Sequence, residues 1–82
     1  MKKLLRFTAS WCGPCKILAA SIERADLDIP IDVIDIDENT ELANQYKIRS
    51  VPVLVLLKNG EEVKRSVGAK TPKQLKEWLE AK

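Results

Sequence analysis

The segment Trp11-Cys12-Gly13-Pro14-Cys15-Lys16 contains both cysteines of this 82-residue chain. Apolar residues before it predict a short strand over residues 3–7, and apolar residues at helical spacing after it predict a helix over residues 13–25. A Cys-x-x-Cys pair between a strand and a helix is the arrangement of a dithiol redox site. The segment therefore predicts a redox function for the two thiols.

The predicted start of the helix explains how the pair would react. The first backbone N–H groups of a helix have no partner within the helix, and the macrodipole places partial positive charge there, so a thiolate is stabilised. Cys12 stands at this start and is predicted to be the exposed nucleophile. Cys15, one turn further along, can attack the same sulfur and resolve a mixed disulfide. Pro14 suits the first helical turn, where its missing N–H has no cost.

The middle of the chain predicts two more strands and a short helix. Residues 31–36 form the second predicted strand, and Asn39 or Thr40 is the predicted N-cap of the helix. The continuous apolar run at residues 51–57 predicts a strand that is buried on both faces.

A hairpin and a final helix complete the predicted elements. Asn59-Gly60 is a preferred pair for a two-residue hairpin turn. The charged segment 62–67 is therefore predicted to return as a strand at the edge of the sheet. Thr71 and Gln74 have the spacing of a capping box, and Pro72 occupies the first helical position.

The element order βαβαββα predicts a single α/β domain over residues 1–82. Its first βαβ unit is expected to be parallel and right-handed. With the antiparallel hairpin, this gives a four-stranded mixed sheet flanked by helices. Sites in open α/β sheets lie beyond the carboxyl ends of parallel strands, which is where the cysteines fall.

Composition and charge narrow the possible functions. The formal net charge is +2 and no basic block stands out, so no nucleic-acid partner is expected. The Lys2-Lys3 pair precedes only a short apolar stretch that Arg6 interrupts, too short for a signal sequence or a membrane span. We therefore expect a cytoplasmic monomer with no membrane partner.

The two cysteines could instead belong to a metal site. Tetrahedral zinc takes four ligands, and the chain has no histidine and no further cysteine. A zinc ion or a cluster would have to bridge the cysteine pairs of two copies or recruit carboxylates. We expect no metal, and no cofactor either, because the sequence contains no cofactor-binding motif. Metal analysis of protein purified without oxygen tests this expectation.

Four segments, in the same order along the chain, resemble motifs of the thioredoxin family. Residues 11–16 resemble its active-site signature, 48–53 its cis-proline segment, 58–61 its hairpin turn and 67–69 the glycine loop that follows. Thioredoxins of full length carry an additional strand and helix before the strand that leads into the cysteines. The chain thus resembles a short, N-terminally trimmed thioredoxin with a minimal thioredoxin-like fold. Its four-strand layout is also similar to that of glutaredoxins.

The resemblance implies a protein disulfide oxidoreductase and a cis peptide bond before Pro52. It makes Cys12 the nucleophile and Cys15 the resolving thiol of a redox-active disulfide. Electrons would come from a flavin-dependent thioredoxin reductase or from glutathione, and would pass to protein disulfides. An extended substrate chain would pair with backbone groups beside the cis bond. The implied substrate-binding residues are Trp11, Gly13, Pro14, Val51, Pro52 and Gly68.

One position departs from the family pattern. Thioredoxins carry a buried aspartate six residues before the nucleophilic cysteine, with a lysine near it on the next strand. The matching positions here hold Arg6 and Val33. On a strand expected at or near the sheet edge, Arg6 either extends its charge into water or acts as an electrostatic modulator that favours the thiolate.

Two further functions stay open at this point. A glutaredoxin-like protein would draw on glutathione, although the Gly-Pro between the cysteines and the Val67-Gly68-Ala69 loop favour the thioredoxin type. Some thioredoxins serve as subunits of larger assemblies whether or not their thiols turn over, so an interaction subunit is the other interpretation.

Overall fold

The structure, a computed structural model, describes residues 1–81. Over this range the chain forms the predicted sequence of strands and helices. The elements are β1 (Lys2–Thr8), α1 (Gly13–Ala25), β2 (Ile31–Asp35), α2 (Thr40–Gln45), β3 (Val53–Lys58), β4 (Glu61–Val67) and α3 (Pro72–Glu80).

The four strands form one mixed sheet in the order β2-β1-β3-β4. β1 and β2 are parallel, whereas β1 pairs with β3, and β3 with β4, in the antiparallel sense. In this register Phe7 lies opposite Val53, so the end of β1 meets the beginning of β3. The residues that follow β1 and those that precede β3 therefore come together at one end of the sheet.

The strand that carries Arg6 lies next to the sheet edge and not at it. β1 has a neighbour on each side, with Arg6 paired to Val33 of β2 and to Leu54 of β3. The edge position on this side of the sheet is occupied by β2, which pairs with β1 in parallel. The predicted edge position of β4 is confirmed.

The helix starts follow the capping signals of the sequence. Cys12 is the N-cap of α1, and Thr71 is the N-cap of α3 in a complete capping box with Gln74. Asn39 is the N-cap of α2, but its side chain makes no capping hydrogen bond. In the hairpin turn, Asn59 and Gly60 have φ angles of 54° and 86°, the left-handed backbone that a two-residue turn of this type requires.

The strand predicted at 51–57 begins two residues later, at Val53. Pro52 has no N–H to donate to a ladder, so pairing starts after it. Every residue from Val53 to Leu57 is buried, which confirms that this strand is covered on both faces.

Apolar side chains on the two faces of the sheet form two clusters. On one face, Phe7 and its neighbours pack against Tyr46 and Leu42 from α2 and the turn after it. On the other face, Leu54 packs against Leu18 of α1 and Leu75 of α3. Within residues 1–81, no helix combines the length and apolar character needed to cross a bilayer.

Candidate active site

The two cysteines lie at the junction between β1 and α1. Cys12 is the N-cap of the helix and Cys15 lies in its first turn. Their Cα atoms are 5.3 Å apart and their sulfurs are joined as a disulfide, within the range that this bond allows. The structure is therefore that of the oxidised protein, with the intramolecular cysteine pair that the sequence predicts.

The backbone of α1 points a donor at the first of the two sulfurs. The N–H of Cys15 lies 3.2 Å from Cys12 Sγ, so the side chain of Cys12 occupies the acceptor position of an N-cap. When the disulfide is reduced, the same donor and the positive end of the helix dipole stabilise negative charge on that sulfur. The geometry therefore favours Cys12 over Cys15 as the thiolate.

The prediction that Cys12 is exposed is wrong for this oxidised state. Cys12 is only 4% exposed, close to the 2% of Cys15. Both cysteines pack in a small apolar cluster with Ala9, and Ile36 and Val51 lie against that cluster. The contacts of Ile36 and Val51 come from the segments after β2 and before β3, and they contribute to the burial of both cysteines.

The peptide bond between Val51 and Pro52 is cis, as predicted. The carbonyl oxygen of Val51 lies 3.6 Å from Cys12 Sγ, a position in which it can accept a hydrogen bond from a Cys12 thiol. The N–H of Gly68 donates to the Pro52 carbonyl at 2.9 Å, with Gly68 at a φ of +96°. Three predicted site residues, far from the cysteines in sequence, are thus brought together beside the disulfide.

Trp11 immediately precedes the disulfide and is 69% exposed. Its indole N–H donates to Asp37 Oδ2 at 3.0 Å. Asp37 was not among the predicted site residues, because nothing local in the sequence connects it to Trp11. The available signal was topological, since Asp37 follows β2 and the carboxyl end of β2 lies beside that of β1.

Gly13 and Pro14 are exposed at the helix start. They lie between the two cysteines in the first turn of α1. Their exposure leaves this turn open to contact by another molecule.

Arg6 is half-buried on the sheet face that α1 and α3 cover, since it pairs with Leu54 on that face. Among residues 1–81 its side chain forms no hydrogen bond and no salt bridge. Burial lowers the pKa of its guanidinium from the ordinary value. The structure brings Arg6 to the side of the sheet where α1 lies, but gives it no direct contact with the cysteines.

The surroundings of the pair offer no set of additional metal ligands. Over the part of the chain that the structure describes, no group of three or more His, Cys, Asp or Glu side chains is arranged to hold an ion.

Comparison with known proteins agrees with this geometry. The sequence profile of the thioredoxin family matches residues 1–81. The thioredoxin of Bacillus subtilis is 45% identical over 80 residues, covering 93% of this chain and 77% of that protein. The thioredoxin of Chlamydia trachomatis is 46% identical over 70 residues, covering 82% of this chain and 69% of that protein.

Solved structures show the same relationship. A mutant thioredoxin from Halobacterium salinarum superposes with a TM-score of 0.87 at 41% sequence identity, covering 96% of this chain and 72% of that one. The family profile, the four-stranded sheet with its helices and the cysteine pair at disulfide distance together place this chain in the thioredoxin family, as a thiol–disulfide oxidoreductase.

Proposed function

We propose that this protein reduces disulfides of other proteins, with Cys12 as the attacking thiolate and Cys15 as the resolving thiol. The observation that carries this assignment is the Cys15 N–H, 3.2 Å from Cys12 Sγ at the start of α1. It singles out one sulfur of the pair for negative charge, and the thiolate is the nucleophilic form.

The exchange proceeds through two attacks. The Cys12 thiolate attacks one sulfur of the substrate disulfide, that S–S bond breaks, and the departing substrate sulfur takes up a proton. Cys15, after losing its proton, attacks Cys12 Sγ and releases the second substrate sulfur, which is also protonated. Two electrons pass from the protein to the substrate, one of the two protons taken up by the substrate comes from Cys15 and the other from solvent, and the Cys12–Cys15 disulfide remains on the protein.

An extended substrate segment would bind across the surface around the disulfide. Val51 lies outside the strands and, among residues 1–81, makes no backbone–backbone hydrogen bond, so its peptide groups can pair with an added chain. The exposed turn of α1 and the Gly68 loop flank this position. The proposed substrate contacts are those of the sequence prediction: Trp11, Gly13, Pro14, Val51, Pro52 and Gly68.

Membership of the thioredoxin family implies a reductase partner as well as protein disulfide substrates. We propose a flavin-dependent thioredoxin reductase, with glutathione as the alternative electron source, and a monomer that works in the cytoplasm as one domain over residues 1–82. Comparing the rates at which a flavin reductase with its nicotinamide donor, and glutathione alone, reduce the oxidised protein distinguishes the two sources.

Arg6 is proposed as an electrostatic modulator of the pair. Its guanidinium is half-buried on the face that carries α1, and within the described residues no carboxylate forms a salt bridge with it. A cation near a thiol favours its charged form. Stabilised thiolates make the disulfide a stronger oxidant.

Reduction of insulin disulfides tests the proposed function. We expect each reduced protein molecule to reduce one insulin disulfide to two thiols, and Cys12→Ser to abolish the reaction. If the double variant Cys12→Ser/Cys15→Ser kept all biological activity in a cell that depends on this protein, the interaction-subunit interpretation would replace the enzymatic one.

A further inference from the structure

Charge is unevenly divided along the sequence. The segment from Ala25 to Tyr46 holds seven of the 12 acidic residues, and all 14 Lys and Arg residues lie outside it. This acidic segment contains the edge strand β2, its flanking turns and the short helix α2. Within residues 1–81, one of its carboxylates, that of Asp32, forms a salt bridge, with Lys3 of β1. The β2 side of the molecule is therefore acidic, even though the net charge is close to zero.

The turn after β2, in the middle of the acidic segment, borders the active site. The N–H of Ile36 donates to the Thr8 carbonyl at 2.9 Å, which joins the turn after β2 to the end of β1. The side chain of Ile36 packs against the cluster that contains both cysteines. Asp37, which follows Ile36 in this turn, is thus held at the rim next to Trp11.

Asp37 is held by two hydrogen bonds, and one of its carboxylate oxygens has no partner within the described residues. Its N–H donates to Asp35 Oδ1 at 2.8 Å, and its Oδ2 accepts the Trp11 indole N–H at 3.0 Å. Within residues 1–81, Oδ1 of Asp37 has no hydrogen-bond or salt-bridge partner. Because the indole N–H is bonded to Asp37, a partner molecule would contact the face of the exposed Trp11 ring. The Asp37 carboxylate lies at the edge of that ring.

An aromatic face and a carboxylate together attract a cation. Lys and Arg side chains bind over indole rings through the ring quadrupole, and they form charge-assisted hydrogen bonds with carboxylate oxygens. Trp11 immediately precedes Cys12. A side chain bound there therefore belongs to a residue close to the sulfur under attack.

We propose that Trp11 and Asp37 form a recognition site for a Lys or Arg residue beside the cysteine of a disulfide substrate. Basic disulfide-bonded segments are then the favoured substrates of this protein. The inference rests on the proposed function, because it assumes that Cys12 attacks the substrate disulfide next to this rim.

The test compares two synthetic peptides with one intramolecular disulfide each, identical except for Lys or Glu on both sides of the first cysteine. Pre-reduced protein is mixed with each peptide, the reaction is stopped with acid, and the second-order rate constants are measured by mass spectrometry. The same two peptides are reduced by dithiothreitol, a small dithiol that also attacks as a thiolate but has no surface on which to recognise neighbouring side chains. For each protein, the ratio of the rate constants for the Lys and Glu peptides is divided by the same ratio measured with dithiothreitol. This division removes the difference in intrinsic reactivity between the two peptides.

We expect the wild-type protein to prefer the Lys peptide by about fivefold at low ionic strength. An exposed ion pair together with a cation–π contact gives a preference of about this size. Added salt should reduce the preference, because it screens the ion pair. Asp37→Asn keeps an oxygen that can accept the indole N–H but removes the charge, and we expect the preference to fall by about threefold. Asp28→Asn removes the same charge from the same acidic segment, at the other end of β2, and serves as the matched control. We expect it to leave the preference unchanged.

Each variant is judged by the ratio of its rate constants for the two peptides. A substitution that changes the reactivity of Cys12 changes both rate constants equally and leaves this ratio unchanged. No wild-type preference beyond that of dithiothreitol, or an Asp37→Asn ratio equal to wild type, overturns the recognition site. An equal fall in Asp28→Asn also overturns it, since the preference would then come from overall charge. If the wild-type protein reduces neither peptide although dithiothreitol reduces both, the proposed function fails and this inference with it.

Discussion

Cys12 is positioned for reaction by one backbone contact, the Cys15 N–H at 3.2 Å from its sulfur. The contact is local, since both residues belong to the start of α1. Within residues 1–81, no equivalent donor lies at the sulfur of Cys15. The difference in reactivity between the two thiols therefore comes from the helix start and not from a difference in burial, which is small.

Alkylation of the reduced protein should reveal this difference. Near neutral pH we expect iodoacetamide to modify Cys12 at least about tenfold faster than Cys15, because the thiolate is the reactive form and the helix start stabilises it at Cys12. Peptide mapping by mass spectrometry measures both rates. In urea-unfolded protein the two rates should converge, and faster labelling of Cys15 in the folded protein would contradict the assignment.

Substitution of Arg6 tests its electrostatic role. We expect Arg6→Asp to raise the pKa of the Cys12 thiol and to make the reduction potential more negative by on the order of 20 mV, about 1 kcal/mol for a two-electron couple. Arg6→Met, which removes the charge without adding one, should shift the potential in the same direction by about half as much. The measurement is a glutathione-buffered redox titration. If neither variant shifts the potential, Arg6 is only a charge that extends into water.

At the scale of secondary structure, Lys64 joins the edge strand β4 to the end of α3. Its Nζ donates to the carbonyl oxygens of Trp78 and Ala81, the latter at 2.7 Å, and lies 5.0 Å from the centre of the Trp78 ring. α3 has no basic residue in its own last turn. Lys64 therefore supplies the cation that the carboxyl end of this helix lacks.

Removal of this cation should destabilise the protein. We expect Lys64→Met, which keeps an apolar stem, to lower the free energy of unfolding by about 1 kcal/mol through loss of the helix-end contacts. Lys76→Met on the exposed surface of α3 is the matched control and should change it little. Urea unfolding measures both variants, and equal stability of the two would show that Lys64 has no such role.

Arg65 makes a second contact between elements. It donates to both carboxylate oxygens of Glu62 and to the carbonyl oxygen of Tyr46 at the end of α2. The hydrogen bond from Arg65 lowers the pKa of Glu62 below its ordinary value of 4.5. A carboxyl whose pKa is lower in the folded state stabilises the fold above the unfolded-state pKa, and this contribution is lost as pH falls through the folded-state pKa.

Glu62→Gln should therefore matter only when the carboxylate is charged. We expect the variant to be less stable than wild type by about 0.2–1 kcal/mol near pH 6, as is usual for an exposed ion pair. The difference should shrink as the pH is lowered from about 4.5 toward 3. Thermal unfolding across this pH range measures it, and a difference that is constant with pH would mean that Glu62 acts through packing instead.

At the scale of the whole molecule, the sequence predicts elements better than it predicts their surroundings. The bounds of α1 and the capping box at Thr71 follow from local signals, and the structure reproduces them. The place of the Arg6 strand, one position in from the edge, depends on which element pairs outside β1. Long-range packing likewise buries Cys12, through Ile36 and Val51, and no local signal predicts that burial.

The same distinction applies to the candidate site. The cysteines share one turn and were predicted from spacing, and the cis bond before Pro52 was predicted from resemblance. The Trp11–Asp37 hydrogen bond spans 26 residues and carries no local signature. Only the parallel pairing of β1 with β2 brings its two partners to one rim.

Trapping of mixed disulfides tests the central claim, that Cys12 attacks and Cys15 resolves. Reduced Cys15→Ser protein is incubated with insulin whose disulfides are intact. It should accumulate a covalent complex through Cys12, because the thiol that releases the substrate is absent. Cys12→Ser should form little of this complex. The complexes are separated on non-reducing gels and the linked residue is identified by mass spectrometry. Accumulation through Cys15 in the Cys12→Ser variant, and not through Cys12 in Cys15→Ser, would contradict the account.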